Sequence, residues 1–312
     1  MARMKIWPFR FAVQFLFFLL FNALIFTVVY PYIELDRVGY SWPVLSSLNS
    51  PFSFMVGSFD LVQFMLSRSE FPWFALASIF IIGALFGRLL CGWVCPFGFL
   101  QYLISTFRSG HVQVSPKTHD QFKSLKLFIL ALTLFISGSL FLALEFGIGK
   151  DYSEALGVFA AGPFLAVSPD GTLFGTIPMF LMNGGSLLLK ASEVFSSYDA
   201  FVKWIWSVPG NLVLSFILLA VSFYGAYMIP LFWCRYLCPM GGFLGIFGRF
   251  SFLGMKRDPV KCTKKCPDCV RACPMQVRIL DLPWEKFNDQ ECIFCLDCVE
   301  ACPNGALGLK FP

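Results

Sequence analysis

Twelve cysteines fall into four short motifs with none left over: Cys91-x3-Cys95-Pro, Cys234-x3-Cys238-Pro, Cys262-x3-Cys266-x2-Cys269-x3-Cys273-Pro and Cys292-x2-Cys295-x2-Cys298-x3-Cys302-Pro. These are metal-ligand spacings. In the last motif three closely spaced thiolates can hold one 4Fe–4S cube while the fourth, before proline, reaches across to a neighbouring cube. One cluster is therefore assigned to Cys262, Cys266, Cys269 and Cys302, and the other to Cys292, Cys295, Cys298 and Cys273. The chemistry implied is electron transfer.

The third motif carries Thr263-Lys264-Lys265 where two residues are usual, so Cys262 sits on a longer loop. Zinc rarely uses eight cysteines in this rhythm, and disulfides do not suit a reducing compartment. Lys264, Lys265, Arg271 and Arg278 surround the motifs with positive charge. That charge would favour a reduced cluster and could seat an acidic partner, or it is simply a solvated surface.

The two Cys-x3-Cys-Pro elements are read differently. Cysteines four apart on a helix project from one face. The following proline disfavours helix at the second cysteine and suits the first turn of a new one. Both thiols of a pair then sit at a break, and two breaks supply four thiolates. Cys91, Cys95, Cys234 and Cys238 could hold a third cluster, Cu(I) or zinc, act as redox thiols, or pack at a membrane surface.

The elements that position these motifs are apolar. The chain is 57% hydrophobic and 14% charged over 312 residues, with 39 phenylalanines, more apolar surface than a single soluble core requires. Runs long enough for ~30 Å of hydrocarbon predict four transmembrane helices at about 11–30, 71–90, 126–145 and 207–232. Outer loops span 31–70 and 146–206. The run from Gly171 to Leu189 is interrupted by Pro178 and Asn183-Gly184-Gly185, which predicts helical hairpin or interfacial structure rather than a fifth span. Trp42, Trp73, Trp204 and Trp206 are expected interfacial anchors.

Charge supports this topology. The segments 31–70 and 145–203 hold five of the 24 basic residues and ten of the 19 acidic ones. Lys and Arg concentrate in cytoplasmic loops, so both termini are expected inside a bacterial-type cytoplasmic membrane. The first helix is read as an uncleaved anchor, and the net charge of +5 needs no nucleic-acid partner.

The device of spanning helix, Cys-x3-Cys-Pro and glycine occurs twice, which predicts a duplicated hairpin within a membrane domain at 1–255. The cysteine elements at 91–96 and 234–239 should lie at one depth. Residues 256–312 carry nine basic and eight acidic residues and both longer motifs, and are expected to form a separate cytoplasmic α+β dicluster ferredoxin-like domain stapled by its clusters. The fold class is a mainly α membrane protein with that domain appended.

The only histidines are His111 and His119, in a basic loop, which leaves no axial ligand for an intramembrane haem. No nucleotide-binding loop is present, so electrons must come from a lipid-soluble carrier or a protein. Glu145, at the outer end of the third helix, is the candidate proton acceptor for a quinol, with Glu34, Asp36 and Asp60 as alternatives.

Cys91-Gly-Trp-Val-Cys-Pro, Cys234-Arg-Tyr-Leu-Cys-Pro and the two long motifs, in that order, resemble the NapH-type membrane ferredoxins and the membrane parts of NosR and CcoG. The resemblance covers nearly the whole chain and is nearest to the short NapH form. It implies four helices, two 4Fe–4S clusters, and electron transfer from quinol toward a periplasmic reductase. The expected function is a membrane electron-transfer subunit between the quinone pool and a respiratory partner, such as a periplasmic cytochrome or iron–sulfur protein. The alternative is a copper-reducing or metal-handling assembly protein that uses the paired cysteines. For a periplasmic acceptor, the two cytoplasmic clusters leave ~30 Å of membrane to recross.

Overall fold

The computed structural model describes residues 6–26, 41–108, 112, 114–179, 181–182, 210–263 and 266–311. Glu34, Asp36, His111, Asn183-Gly184-Gly185, Trp204, Trp206 and Lys264-Lys265 lie outside the described residues. The fold is mostly helical: α1 (Ile6–Phe21), α2 (Ser58–Leu66), α3 (Trp73–Phe86), α4 (Leu89–Trp93), α5 (Pro96–Thr106), α6 (Pro116–Glu145), α7 (Gly149–Leu156), α8 (Pro169–Gly171), α9 (Gly210–Met228), α10 (Phe232–Tyr236) and α11 (Pro239–Gly248).

Two helices, α6 and α9, are long and apolar enough to cross a bilayer. The other two expected spans are shorter than their apolar runs. Helix α1 has 16 residues and α3 has 14, rising about 24 and 21 Å against ~30 Å of hydrocarbon. Helix α1 unwinds at Asn22, whose side chain returns to the Phe18 carbonyl. Backbone bonds from Leu24 N to Phe52 O and from Phe54 N to Phe21 O then stitch its end to the 52–54 segment. Helix α3 stops at Gly87, which has φ +58°, and a Cβ there would lie 3.1 Å from the Gly248 Cα. The backbone turns where only glycine fits.

Helix α6 starts well before the expected span, at Pro116, with the Ser115 hydroxyl accepting from Thr118 N. Helices α3, α6 and α9 expose Phe74, Ile81, Phe128, Phe135, Phe216 and Ile217, apolar faces of the kind that lipid covers. Between the long helices lie short elements. The 41–57 segment closes with a two-residue parallel pair, β1 (Ser41–Trp42) with β2 (Val56–Gly57). The described part of 149–182 consists of α7, a 3-10 turn at Gly157–Ala161, and α8 running into a π turn at Thr172–Thr176.

The internal repeat is visible in the packing. Helix α5 of the first half packs on α9 of the second, and α11 of the second packs on α3 of the first. Helix α11 also packs on α6, so each half covers a long helix of the other.

The tail folds around β3 (Gly254–Arg257) paired antiparallel with β4 (Leu307–Lys310), plus α12 (Asp268–Arg271) and α13 (Asp297–Ala301). The tail is docked against the helices by buried polar contacts. Glu291 accepts from Arg88 at 2.8 Å and from Lys126, Arg10 pairs with Asp297 at 2.6 Å, and the Trp93 indole donates to Phe294 O at 2.9 Å. Buried charge pairs cost several kcal/mol if either partner is removed, so this interface has one strongly preferred register.

Candidate metal centres

In the tail the thiols separate into two sets. Cys262, Cys266 and Cys302 act electrostatically on Cys269. Cys273 does the same to Cys292, Cys295 and Cys298. The distant cysteine of each motif thus lies with the other motif's three. The second set lines one apolar cavity with Met255, Met275 and Phe287. Around it the backbone takes up left-handed conformation at Gln276 (φ 52°), Phe294 (φ 50°) and Leu296 (φ 64°), which non-glycine residues hold only where the surroundings over-determine them. Val277 N and Ala306 N donate to the sulfurs of Cys273 and Cys302 at 3.4 and 3.3 Å. Burial pushes the Cys292 thiol up to about 12 and raises Cys295 and Cys298 as well. Thiols in such surroundings ionise only when metal replaces the proton. The donor set, the cavity and the looped backbone fit a 4Fe–4S cube.

The second constellation is built by the repeat. Cys95 and Cys238 are the N-caps of α5 and α11, with Pro96 and Pro239 in the first turn. Their sulfurs accept from Gly98 N at 3.4 Å and Gly241 N at 3.1 Å. A Cβ on Gly98 would lie 2.9 Å from the Cys91 carbonyl, and one on Gly241 would lie 3.2 Å from that of Cys234. Proline, capping thiol and close-packed glycine recur at equivalent places.

All four thiols are buried, and Cys91, Cys95 and Cys238 all act on Cys234. The Gln101 amide donates to the Cys234 sulfur at 3.3 Å while its oxygen accepts from Trp233 N at 2.9 Å. Arg88, fully buried, donates to Cys234 O at 2.8 Å and places its charge near Cys91 and Cys238. Among the described residues no three His, Cys, Asp or Glu side chains converge on a single-ion position. Four sulfurs on one zinc would sit about 4 Å apart.

This set adjoins the tail on one side and the 41–57 segment on the other. A Cβ on Gly92 would lie 2.5 Å from Ile293 O, and Cys91 and Cys295 line one small crevice. On the far side the Cys95 sulfur lies 4.0 Å from Leu45 O.

Glu145 stands at the exposed end of α6 and accepts from the Ser69 hydroxyl. Besides Glu291, the buried carboxylates among the described residues are Asp60, an expected alternative, and Asp170, which the sequence reading missed. Ser168-Pro169-Asp170 reads as an ordinary solvated helix start, and no local signal marks it as interior. Arg271 and Arg278 line a cleft of about 460 Å³ beside Cys273, together with His119 and Arg235. Burial and the Arg235 charge push His119 down to about 4, and its Nδ1 lies 3.1 Å from the Tyr236 hydroxyl.

Thiol sets of this kind on an apolar helical frame define an iron–sulfur electron-transport protein. Residues 261–307 match the 4Fe-4S dicluster domain family, and 71–115 and 209–258 each match a family described as a 4Fe-4S binding domain, which takes in both Cys-x3-Cys-Pro elements. An uncharacterized protein of Methanocaldococcus jannaschii is 28% identical over 74% of this chain and 67% of its own length. Putative electron transport protein YccM of Escherichia coli is 23% identical over 84% of this chain and 60% of its own. Regulatory protein NosR of Stutzerimonas stutzeri is 26% identical over 72% of this chain, which spans 24% of NosR. The chain is thus similar to NosR and to other iron–sulfur electron-transport proteins, a likeness its motifs led us to expect. No solved structure matches it significantly.

Proposed function

We propose that this chain is a multi-pass membrane subunit that takes electrons from a quinol and passes them to a partner redox protein. The supporting observation is the line of three adjoining thiol sets. Cys269 and Cys298 lie within each other's electrostatic range, and Cys91 and Cys295 share a crevice. In this reading Cys262, Cys266, Cys269 and Cys302 hold one cluster, Cys273, Cys292, Cys295 and Cys298 a second, and Cys91, Cys95, Cys234 and Cys238 a third. Bound clusters supply one-electron carriers. In this reading the third set shortens the path across the membrane, a role supported by its contacts with Ile293 of the tail on one side and Leu45 on the other.

The chain's own residues prepare these places. Arg88 and Lys126 bring positive charge to Cys91 and Cys238, which offsets the negative charge of four thiolates in a dry site. Gln101, Gly98 N and Gly241 N direct N–H groups at the sulfurs, which stabilises the ionised thiolates. Helices α1, α3, α6 and α9 are read as the four-helix membrane domain 1–255, residues 256–312 as the cytoplasmic domain, and both termini as inside.

Anaerobically purified protein is expected to carry about twelve iron atoms per chain, four per cluster, and to be bleached by a reduced quinone analogue. Full iron content with reduction by dithionite but none by quinol would defeat the quinol reading. About eight iron atoms would remove the third centre.

A further inference from the structure

Two carboxylates are buried beside the Cys91/Cys95/Cys234/Cys238 set, on the side away from the tail. Asp60, in the first turn of α2, is 2% exposed, and Asp170, in α8, is 0% exposed. One Asp60 oxygen accepts from Leu48 N at 3.4 Å. Its other oxygen has no hydrogen-bond partner among the described residues, and neither Asp170 oxygen meets good hydrogen-bond geometry, although the Ser168 hydroxyl and the Gly171 N–H stand close enough to offset part of the burial of Asp170. Buried polar groups are normally paired, and each exception needs a reason.

The pair adjoins the thiols by two routes. The charge of Asp170 reaches Cys95. Phe59, next to Asp60, packs on Phe164 at 5.7 Å between ring centres, and Phe164 packs on Trp233 at 6.2 Å, beside Cys234. The Trp233 indole N–H is itself buried with no acceptor among the described residues. Orphaned acceptors and an orphaned donor around one redox site call for a ligand that both donates and accepts. A quinol has hydroxyls that donate to carboxylates, and its oxidised form has carbonyls that accept from N–H.

We infer that Asp60 and Asp170 are the proton-accepting site at which the quinol is oxidised. The inference rests on the quinol reading above. Each hydroxyl O–H bond breaks with its proton going to a carboxylate oxygen, the two ring C–O bonds become carbonyls, and the two electrons leave singly to two oxidised iron–sulfur centres. Two carboxylates in each other's field cannot both ionise in a dry site, so the pair holds one free acceptor at a time. It takes the protons in succession, the first passing to solvent before the second arrives.

Burial and the neighbouring Asp170 raise Asp60 well above the ordinary carboxylate range, and burial raises Asp170 to about 6. Among the described elements packed against the pair, α3 carries no ionisable side chain, and α9 carries only Tyr224 and Tyr227. Helix α6 carries its ionisable groups at Lys117, His119, Asp120, Lys123, Lys126 and Glu145. None of these shifts either carboxyl.

The test uses the whole protein in detergent, reduced by a water-soluble quinol, with dithionite as the reference reductant. A positioned general base contributes 10²–10⁴-fold, so Asp170→Asn and Asp60→Asn are expected to slow quinol-driven cluster reduction at least ~100-fold. Iron content and dithionite reduction should stay at the wild-type level, and Asp170→Glu should restore part of the rate. The wild-type rate should rise as pH passes about 6, and that rise should vanish in Asp170→Asn. Infrared pH-difference spectra should lose a protonated-carboxyl band in the same variant. Rates within about twofold of wild type with an unchanged pH profile would overturn the assignment while leaving the quinol reading intact. A wild-type protein that dithionite reduces and quinol does not would overturn both. Should Asp170→Asn assemble with low iron, Asp60→Asn and Asp170→Glu are judged by the same criteria.

Discussion

Replacing Glu291 with glutamine tests how the tail is held against the helices. The carboxylate accepts from Arg88 at 2.8 Å and from Lys126, with side-chain exposures of 0% for Arg88, 3% for Lys126 and 6% for Glu291. Arg88 also donates to Gln290 O and Cys234 O, so one guanidinium joins the tail to the second cysteine element. Glu291→Gln keeps the shape and removes the carboxylate that pairs with both buried cations. Breaking a buried pair costs about 3–5 kcal/mol, and each 1.36 kcal/mol is tenfold, so opening of this interface should become roughly 10²–10⁴ times more frequent. Amide hydrogen exchange over residues 290–296 reads that opening directly, with iron content as a second measure. The double variant Lys126→Met with Glu291→Gln should recover much of the loss, because one uncompensated charge goes with its partner. Exchange rates within about threefold of wild type in Glu291→Gln, or strictly additive effects in the double variant, would refute the reasoning.

Other outcomes follow from single contacts. Gly92→Ala drives a Cβ to 2.5 Å from Ile293 O and should destabilise the same interface by about 1–3 kcal/mol through overpacking, seen as a lowered denaturation midpoint. Cys302→Ser should abolish the cluster held with Cys262, Cys266 and Cys269 and leave the spectrum of the other tail cluster in place, whereas loss confined to the cluster of Cys292 would reverse the pairing. Asp170 is raised by burial to about 6, so its stabilising contribution is present at low pH and disappears as pH rises through that value. The thermal midpoint of Asp170→Asn should therefore exceed that of wild type at pH 8 and converge with it below pH 4. Glu291 behaves oppositely. Burial alone would raise it, but Arg88 and Lys126 hold it below the ordinary carboxylate range, so its contribution should vanish as acid protonates it, and a titration of the unfolding midpoint should show the loss in wild type and not in Glu291→Gln.

The chemistry was legible in the sequence because thiolate spacing along a short loop is itself the geometry of the site. Cys292, Cys295 and Cys298 can reach one cube with no help from the rest of the chain, and a proline after each fourth cysteine sets the local backbone. The repeat was legible for the same reason, since Cys95-Pro96-Phe97-Gly98 and Cys238-Pro239-Met240-Gly241 encode cap, turn and close approach within four residues. Hydropathy marked the apolar helices but overestimated two of them. The length of an apolar run sets an upper bound on a helix, while Gly87 and the backbone bonds around Phe52 and Phe54 decide where it stops.

What the tertiary structure alone decided is which distant groups share one interior. Asp170 looks like a solvated turn residue until the fold buries it beside Asp60, more than a hundred positions away, and within the field of Cys95. Glu145, the candidate the sequence offered, stands by contrast at the exposed end of its helix. The tail's docking through Arg88, Lys126 and Glu291 is equally non-local. Ligand spacing is a property of a few bonded neighbours and is written in them; burial is a property of whatever else packs nearby, and no short stretch of chain contains it.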